Sequence, residues 1–410
     1  MWERLFQGML STVLRNGSFE ITLPSGKRRT YGDGSGERIG VRFHDNAALR
    51  GLMLNPELGA GEAYMNGTMT IDGDQLRPFM AAVVENIGCQ NRTRWHKLLG
   101  KWRTFLRVAR QYNPVEKAQR NVAHHYDLSG DLYDLFLDTD KQYSCAYFRD
   151  PQDSLEDAQT QKKAHIAGKL LIEPGMRVLD IGCGWGGMGL TLARDYGAQV
   201  VGVTLSEEQH KVARARAEAE GLADKCDFRL MDYRLIDEKF DRIVSVGMFE
   251  HVGVPHYGEF FAHVRDKLAE GGVALIHTIG RAEPPGFTSP WILKYIFPGG
   301  YVPAMSEVMK AVEKQGLWAT DIEVWRLHYA ETLRHWYERF MANRDRVKAL
   351  YDERFCRMWA WYLVGAEMTF RHNHQCVFQF QLARQQDAVP LTRDYLYPAE
   401  REDRLHHAAE

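Results

Sequence analysis

From about residue 175 the chain alternates apolar strand with amphipathic helix, and this alternation restricts its fold more than any other feature. "RVLDIG" reads as a strand and "GGMGLTLARDYG" as a helix that ends in glycine. "AQVVGVTL" is a second strand, and "SEEQHKVARARAEAEG" a helix opened by a capping box from Ser206 to Gln209. "CDFRLMD", "FDRIVSVGM" and "GGVALIHTIG" follow as strands, and "GLWATDIEVWRL" and "CVFQFQLAR" add two more. Strands that are apolar from end to end are buried on both faces, as repeated βα units require. The spacing therefore predicts an α/β fold: a doubly wound, mainly parallel, seven-stranded Rossmann-like sheet. Two insertions interrupt it, residues 281–303 and a helical region over 330–372 rich in Trp, Tyr and Phe. Insertions after strand ends usually build the substrate side of such a sheet.

The rest of the chain reads differently. With 410 residues, two domains are expected. "FEITLPSG" and "RIGVRFHD" alternate like strands around the turn cluster "YGDGSGE", so residues 1–90 are expected to form a small α+β domain. Residues 91–114 read as a basic, aromatic linker helix. Seven Lys and Arg and no acid fall between 91 and 110, interleaved with Trp95, Leu98, Leu99, Trp102, Leu106 and Val108. Such a segment suits the surface of an anionic bilayer; a solvated helix with a basic outer face is the plainer alternative. Residues 115–390 form the expected sheet domain, and 391–410 a C-terminal tail.

Net charge is −2, which argues against a general polyanion binder, and no nucleic-acid partner is expected. No apolar run reaches the roughly 18 residues that a spanning helix needs. The first residues lack a signal-peptide pattern, and the six cysteines form neither CxxC pairs nor a disulfide scaffold, so reduced thiols in the cytoplasm are expected. His124 and His125 diverge as neighbours and have no further ligand set, so no metal site is expected.

"VLDIGCGWGG" sets Gly182, Gly184 and Gly186 between a strand and a helix, preceded by Asp180. Glycines there let a ligand approach the backbone closely. No Walker lysine follows, which argues against a nucleoside triphosphate. The loop resembles the first motif of class I S-adenosylmethionine methyltransferases, where it cradles the amino-acid end of the cofactor. Where many relatives carry a ribose-binding acid, this chain has Thr204 and Leu205, leaving Thr204 or Gln209 to hold the ribose. Asp232 and Tyr233 end the third strand near the expected adenine, although an Asp there serves equally as a cap.

"AHHYDLSGDLYDLFLD", "YSCAYF", "LDIGCGWGG", "VTLSEEQ", "VGMFEHVG", "HTIG", "FPGG" and "HYAETL" occur in that order. As a set they resemble the cyclopropane-fatty-acyl-phospholipid synthases over residues 115–385, and "GEAYMNG" resembles their small N-terminal lipid-associated domain. The resemblance implies methyl transfer from S-adenosylmethionine to a cis double bond of a phospholipid acyl chain, then proton loss and ring closure. It implies a bound bicarbonate ion as the base, held by backbone groups of Cys145 and Ile279 and side chains of Glu250, His277 and Tyr329. It brings Tyr143, Ser144 and Trp185 to the cofactor, and Trp291, Tyr295, Phe297 and Gly299 to an acyl channel, with Tyr126 closing over the site. It also implies a homodimer and peripheral association with the inner face of the membrane.

The chemistry fits these residue types. A carbocation in an apolar pocket is stabilised by aromatic faces, each worth up to about 2 kcal/mol when desolvated. Cys145 as a thiolate would trap it, and the sequence gives little to lower its pKa. Glu250 and His251 are neighbours; on an extended chain they face opposite ways, so Glu250 is expected in the site and His251 outside it. A sibling reaction that leaves a methylene branch, completed to a 10-methyl lipid, is the alternative on the same site. A non-catalytic lipid-binding protein on the same fold is a further one.

Overall fold

The structure, a computed structural model, describes residues 1–73, 75–88 and 130–397. Tyr126 and the whole of the basic linker lie outside the described residues, as does the tail beyond 397.

The N-terminal unit starts with α1 (Trp2–Val13) and carries the strands β1 (Ser18–Thr22), β2 (Arg28–Tyr31), β3 (Arg38–Phe43) and β4 (Met69–Ile71), ordered β2-β1-β3-β4. Alternation buries Phe19 and Ile21 of β1 beside Ile39, Val41 and Phe43 of β3. Asp45 caps α2 (Asn46–Leu54) by accepting a 2.7 Å hydrogen bond from the Ala48 amide. Pro56, whose missing N–H costs nothing there, starts α3 (Pro56–Met65). The "GEAYMNG" stretch is the end of this helix. α4 (Leu76–Gly88) closes the unit.

The second sheet holds β5 (Arg177–Ile181), β6 (Gln199–Thr204), β7 (Cys226–Leu230), β8 (Phe240–Val246), β9 (Leu268–Arg281), β10 (Trp318–Trp325) and β11 (Gln375–Ala383). Their order is β10-β11-β9-β8-β5-β6-β7. β11 runs antiparallel to both neighbours and the other pairs are parallel. This is the mainly parallel seven-stranded sheet that the βα alternation predicts. Chain order reverses across β5 and β8. Ligands collect at the carboxyl ends of strands at such a point.

Helices cover both faces. α5 (Gly130–Asp134) precedes α6 (Leu155–Leu170), and α7 (Gly187–Tyr196) and α8 (Glu207–Ala219) follow β5 and β6. Ser206 caps α8 through the Gln209 amide, but the Gln209 side chain bonds Thr204 rather than completing the expected box. α9 (Tyr257–Lys267), α10 (Pro290–Tyr295) and α11 (Met305–Lys314) come next. The aromatic region 330–372 becomes α12 (His328–Ala342), α13 (Arg344–Leu350) and α14 (Glu353–His372). Beyond β11, Arg393 pairs with Asp321 of β10 at 2.7 Å, so the described start of the tail packs on the sheet edge.

The small unit is fastened to the large one next to the site. Arg77 of α4 reaches the fully buried Glu367 of α14 at 2.5 Å; Arg371 shares that carboxylate at 2.8 Å and also bonds Glu331 of α12. Trp291 of α10 donates its indole N–H to the Met65 sulfur at 3.1 Å, and a Cβ on Gly61 would overlap the same indole. Overpacking of this kind costs about 1–3 kcal/mol. Gly61→Ala is therefore expected to lower the thermal midpoint by several degrees and to reduce activity by displacing Trp291. Gly51→Ala, where the nearest atom to an added Cβ is 3.8 Å away, should leave both nearly unchanged. Differential scanning fluorimetry with a parallel activity assay checks the pair.

Candidate active site

Two adjoining cavities open at the carboxyl ends of β5, β6 and β8. The first, about 160 Å³, is bounded by the glycine loop after β5. Gly182 takes φ +80° and Gly186 φ +85°, a region that only glycine occupies cheaply. Tyr143, Ser144, Asp180, Gly182, Gly184, Trp185, Thr204, Leu205, Gln209, Asp232 and Tyr233 line this cleft. Gly186 does not. It starts α7, and a Cβ there would lie 2.9 Å from the Phe228 ring, so its role is close helix–strand packing.

The polar groups of the cleft are already partly organised. Thr204 donates to Gln209 Oε1 at 2.9 Å, so the two residues proposed for the ribose act as one unit. Asp232 caps the turn after β7 and pairs with Arg234 at 2.7 Å while still facing the cleft. Asp180 is different. Burial raises its carboxyl to about 7, and Oδ2 has no hydrogen-bond partner among the described residues. A buried acid with an unmet oxygen beside a cleft is suited to a cationic ligand group.

The second cavity, about 90 Å³, is lined by Tyr143, Cys145, Glu250, His251, His277, Ile279, Phe297, Tyr301 and Tyr329, among others. All five residues proposed for the anion cage thus face one small space. They come from four places: the "YSCAYF" loop, the turn after β8, strand β9 and the start of α12. The loop is held from two sides. Gln159 of α6 donates to the Ser144 carbonyl at 3.0 Å, and the Ala146 amide donates to Thr332 of α12 at 3.0 Å. Lys162 of α6 bonds Ser144 Oγ at 2.8 Å; burial lowers this lysine to about 8. The Cys145 amide between these clamps makes no hydrogen bond among the described residues. Burial drives its thiol far up, so it is not a thiolate.

Glu250 is fixed at both ends. Its Oε1 accepts the Ile279 amide at 2.6 Å, and its carbonyl accepts the Tyr301 amide at 2.9 Å. Its Oε2 is buried without a partner among the described residues, and burial raises the carboxyl to about 7. Ile279, expected to offer its backbone to an ion, spends its N–H on this carboxylate and acts through it. His277 is buried, and its pKa is pushed well below the usual range by burial first and by Lys162 next, so the ring is neutral.

Three expectations change. His251 lines both cavities, with its ring edge-on to Phe297 at 6.1 Å and its pKa lowered to about 4 by burial. The strand ends at Val246, and Phe249–His251 form a tight 3-10 turn, so the two-residue alternation does not apply. Trp291 and Tyr295 turn toward the N-terminal unit, Tyr295 donating to Glu62 at 2.7 Å, while Ile292 on the same short helix faces the second cavity. Phe297 lies in the second cavity and Gly299 in the first. Thr288, Tyr301 and Val302 also line the second cavity; the sequence singles out their segment, 281–303, only as a whole.

A family described as mycolic acid cyclopropane synthetase matches residues 114–380, and one described as a domain of unknown function matches 5–92. The chain belongs to the mycolic acid cyclopropane synthetase family. It is 38% identical to the cyclopropane-fatty-acyl-phospholipid synthase of Escherichia coli over 85% of this chain and 91% of that protein. It is 36% identical to a tuberculostearic acid methyltransferase of Mycobacterium tuberculosis over 83% and 82%. The crystal structure of the mycolic acid cyclopropane synthase CmaA1, complexed with SAH and CTAB, superposes with a TM-score of 0.62 at 34% identity. It covers 66% of this chain and 99% of that one.

The titration of Glu250 gives a stability test. Its folded pKa lies above its unfolded value of 4.5, so the native state retains a proton that the unfolded state releases. Its burial costs little below pH 4.5, and the cost grows as pH rises toward 7. The stability gain of Glu250→Gln over the wild type should be small at pH 5 and reach about 2 °C or more in the midpoint at pH 8. Midpoints that track one another at both values would show that the carboxyl is not the destabilising group.

Proposed function

We propose that this protein is a cyclopropane-fatty-acyl-phospholipid synthase. It transfers a methylene unit from S-adenosylmethionine to the cis double bond of an unsaturated phospholipid acyl chain. The observation that carries this reading is the convergence of Glu250, His277, Ile279, Tyr329 and the Cys145 backbone on a small aromatic cavity that adjoins the glycine-loop cleft. S-adenosylmethionine supplies an electrophilic methyl group when bound. The chain contributes the cradle: Asp180 offers an unmet oxygen suited to the cofactor's cationic end, and the Thr204–Gln209 pair suits its ribose.

The reaction needs a pocket that tolerates positive charge and lacks a strong nucleophile. Tyr143, Phe297, Tyr301 and Tyr329 present aromatic surface. The Cys145 thiol, kept protonated by burial, is a much poorer trap for a cation than a thiolate would be. Bicarbonate, when bound, supplies the base that removes one proton. The residues present fit such an ion. The Cys145 amide and the His277 ring can donate to it, and the unmet Glu250 Oε2 can accept its O–H. Glu250, poised near 7, can then take up a proton and release it.

The substrate requires contact with a bilayer, and among the described residues no helix is long and apolar enough to cross one. We therefore assign peripheral docking to the basic, aromatic stretch 91–110, on its sequence, and expect a homodimer from the family resemblance. The N-terminal unit, packed on Trp291 beside the cavity, is the reading's candidate for the lipid-associated domain. Tyr126 is kept as a candidate for closing the site.

Incubation with S-adenosylmethionine and vesicles of unsaturated phospholipid should yield acyl chains heavier by one CH₂, with ring protons in the NMR spectrum. A vinylic methylene signal instead would identify the sibling reaction. Glu250→Gln should lower turnover at least about a hundredfold, the scale of general acid–base catalysis, while binding of S-adenosylhomocysteine survives. Near-normal turnover would reject its role. Activity on anionic vesicles should fall severalfold between about 0.05 and 0.5 M salt, as the Debye length shrinks. Salt-independent activity would reject electrostatic docking.

A further inference from the structure

His277 can donate a hydrogen bond into the second cavity only if the ring nitrogen facing that cavity carries the proton. A neutral imidazole has one N–H, and the partner of the other nitrogen decides where it sits. Gln379 of β11 lies directly opposite His277 of β9 in the antiparallel register. Its amide nitrogen is 3.2 Å from His277 Nδ1, and both side chains are buried. An amide NH₂ only donates. In this arrangement Nδ1 accepts, and the proton is confined to Nε2.

Gln379 is costly where it stands. Its Oε1 is buried with no partner among the described residues. Val377, two residues earlier and on the same face of the strand, is apolar and fully buried. An apolar residue at 379 would pack there without an unmet acceptor, and buried polar groups of this kind usually serve a specific purpose. Trp325 stands edge-on to the ring at 5.2 Å and offers His277 no proton acceptor. The charged groups on elements packed around the ring, Lys162 and Lys169 of α6 and Glu323 of β10, do not hydrogen-bond it.

We propose that Gln379 is a positioning residue for the cyclopropanation site: it locks His277 in the Nε2–H tautomer so that the ring donates to the anion beside Glu250. The proposal rests on the anion-cage reading above, and it specifies which atom of His277 makes the contact. If the amide were replaced by an acceptor, the proton would move to Nδ1. The cavity would then meet a bare lone pair, which repels an anion.

The tautomer is read directly by nitrogen-15 NMR of histidine-labelled protein, with the His277 signals assigned by loss in His277→Asn. The wild type should show a protonated Nε2 and a bare Nδ1. Gln379→Glu should invert this pattern, and Gln379→Met should leave a mixture. In buffer stripped of carbon dioxide and then titrated with bicarbonate, both variants should need at least about tenfold more bicarbonate for half-maximal turnover. The half-saturating S-adenosylmethionine concentration should change less than twofold. A wild-type His277 protonated on Nδ1 would overturn the proposal, even if the variants failed to fold. So would a Gln379→Met variant with unchanged tautomer and bicarbonate requirement. A wild type whose turnover ignores bicarbonate would sink the cage reading instead, while the tautomer measurement would still decide the role of Gln379.

Discussion

The hydrogen bond from the Ile279 amide to Glu250 is the contact on which the site depends. It ties the turn after β8 to strand β9, fixes one carboxylate oxygen at 2.6 Å, and leaves the other buried without a partner among the described residues. A half-satisfied buried carboxylate is unfavourable by itself, which is why its pKa rises to about 7. Asp180 repeats the pattern across the first cavity, with one oxygen unmet and its pKa again near 7. The fold thus holds two buried acids, each with one oxygen unmet among the described residues, one at each of the adjoining cavities.

The rest of the molecule keeps this arrangement rigid. α6 supplies Gln159 and Lys162 to hold the loop around Cys145 from one side; α12 supplies Thr332 from the other. The N-terminal unit braces α10 through Met65, Gly61 and Glu62, and α10 in turn presents Ile292 to the cavity. A domain that looks peripheral in the sequence therefore packs on the helix that forms part of the wall of the second cavity.

Much of this was legible because it follows from period and chemistry. Continuous apolar strands separated by capped helices dictate the parallel sheet, and a sheet of that kind puts the glycine loop and Glu250 on one rim. The misreadings have physical causes. His251 was assigned by strand alternation, yet the strand stops at Val246 and a 3-10 turn brings both neighbours inward. Trp291 and Tyr295 read as channel aromatics because they are large and lie in an insertion; the structure packs both against the small domain. Gln379 was invisible because "VFQFQL" alternates like a half-buried strand, whereas both faces of β11 are covered. Which glutamine sits across from which histidine depends on an antiparallel register between residues about a hundred apart, and no local pattern carries that.

The most direct test is a crystal structure of the protein with S-adenosylhomocysteine and bicarbonate. The account predicts a planar triangular ion between the cofactor's sulfur and the greasy cavity, within hydrogen-bond reach of Glu250 Oε2, His277 Nε2 and the Cys145 amide. An ordered cofactor beside a cavity that holds only water or lipid, with Glu250 turned toward another partner, would contradict it.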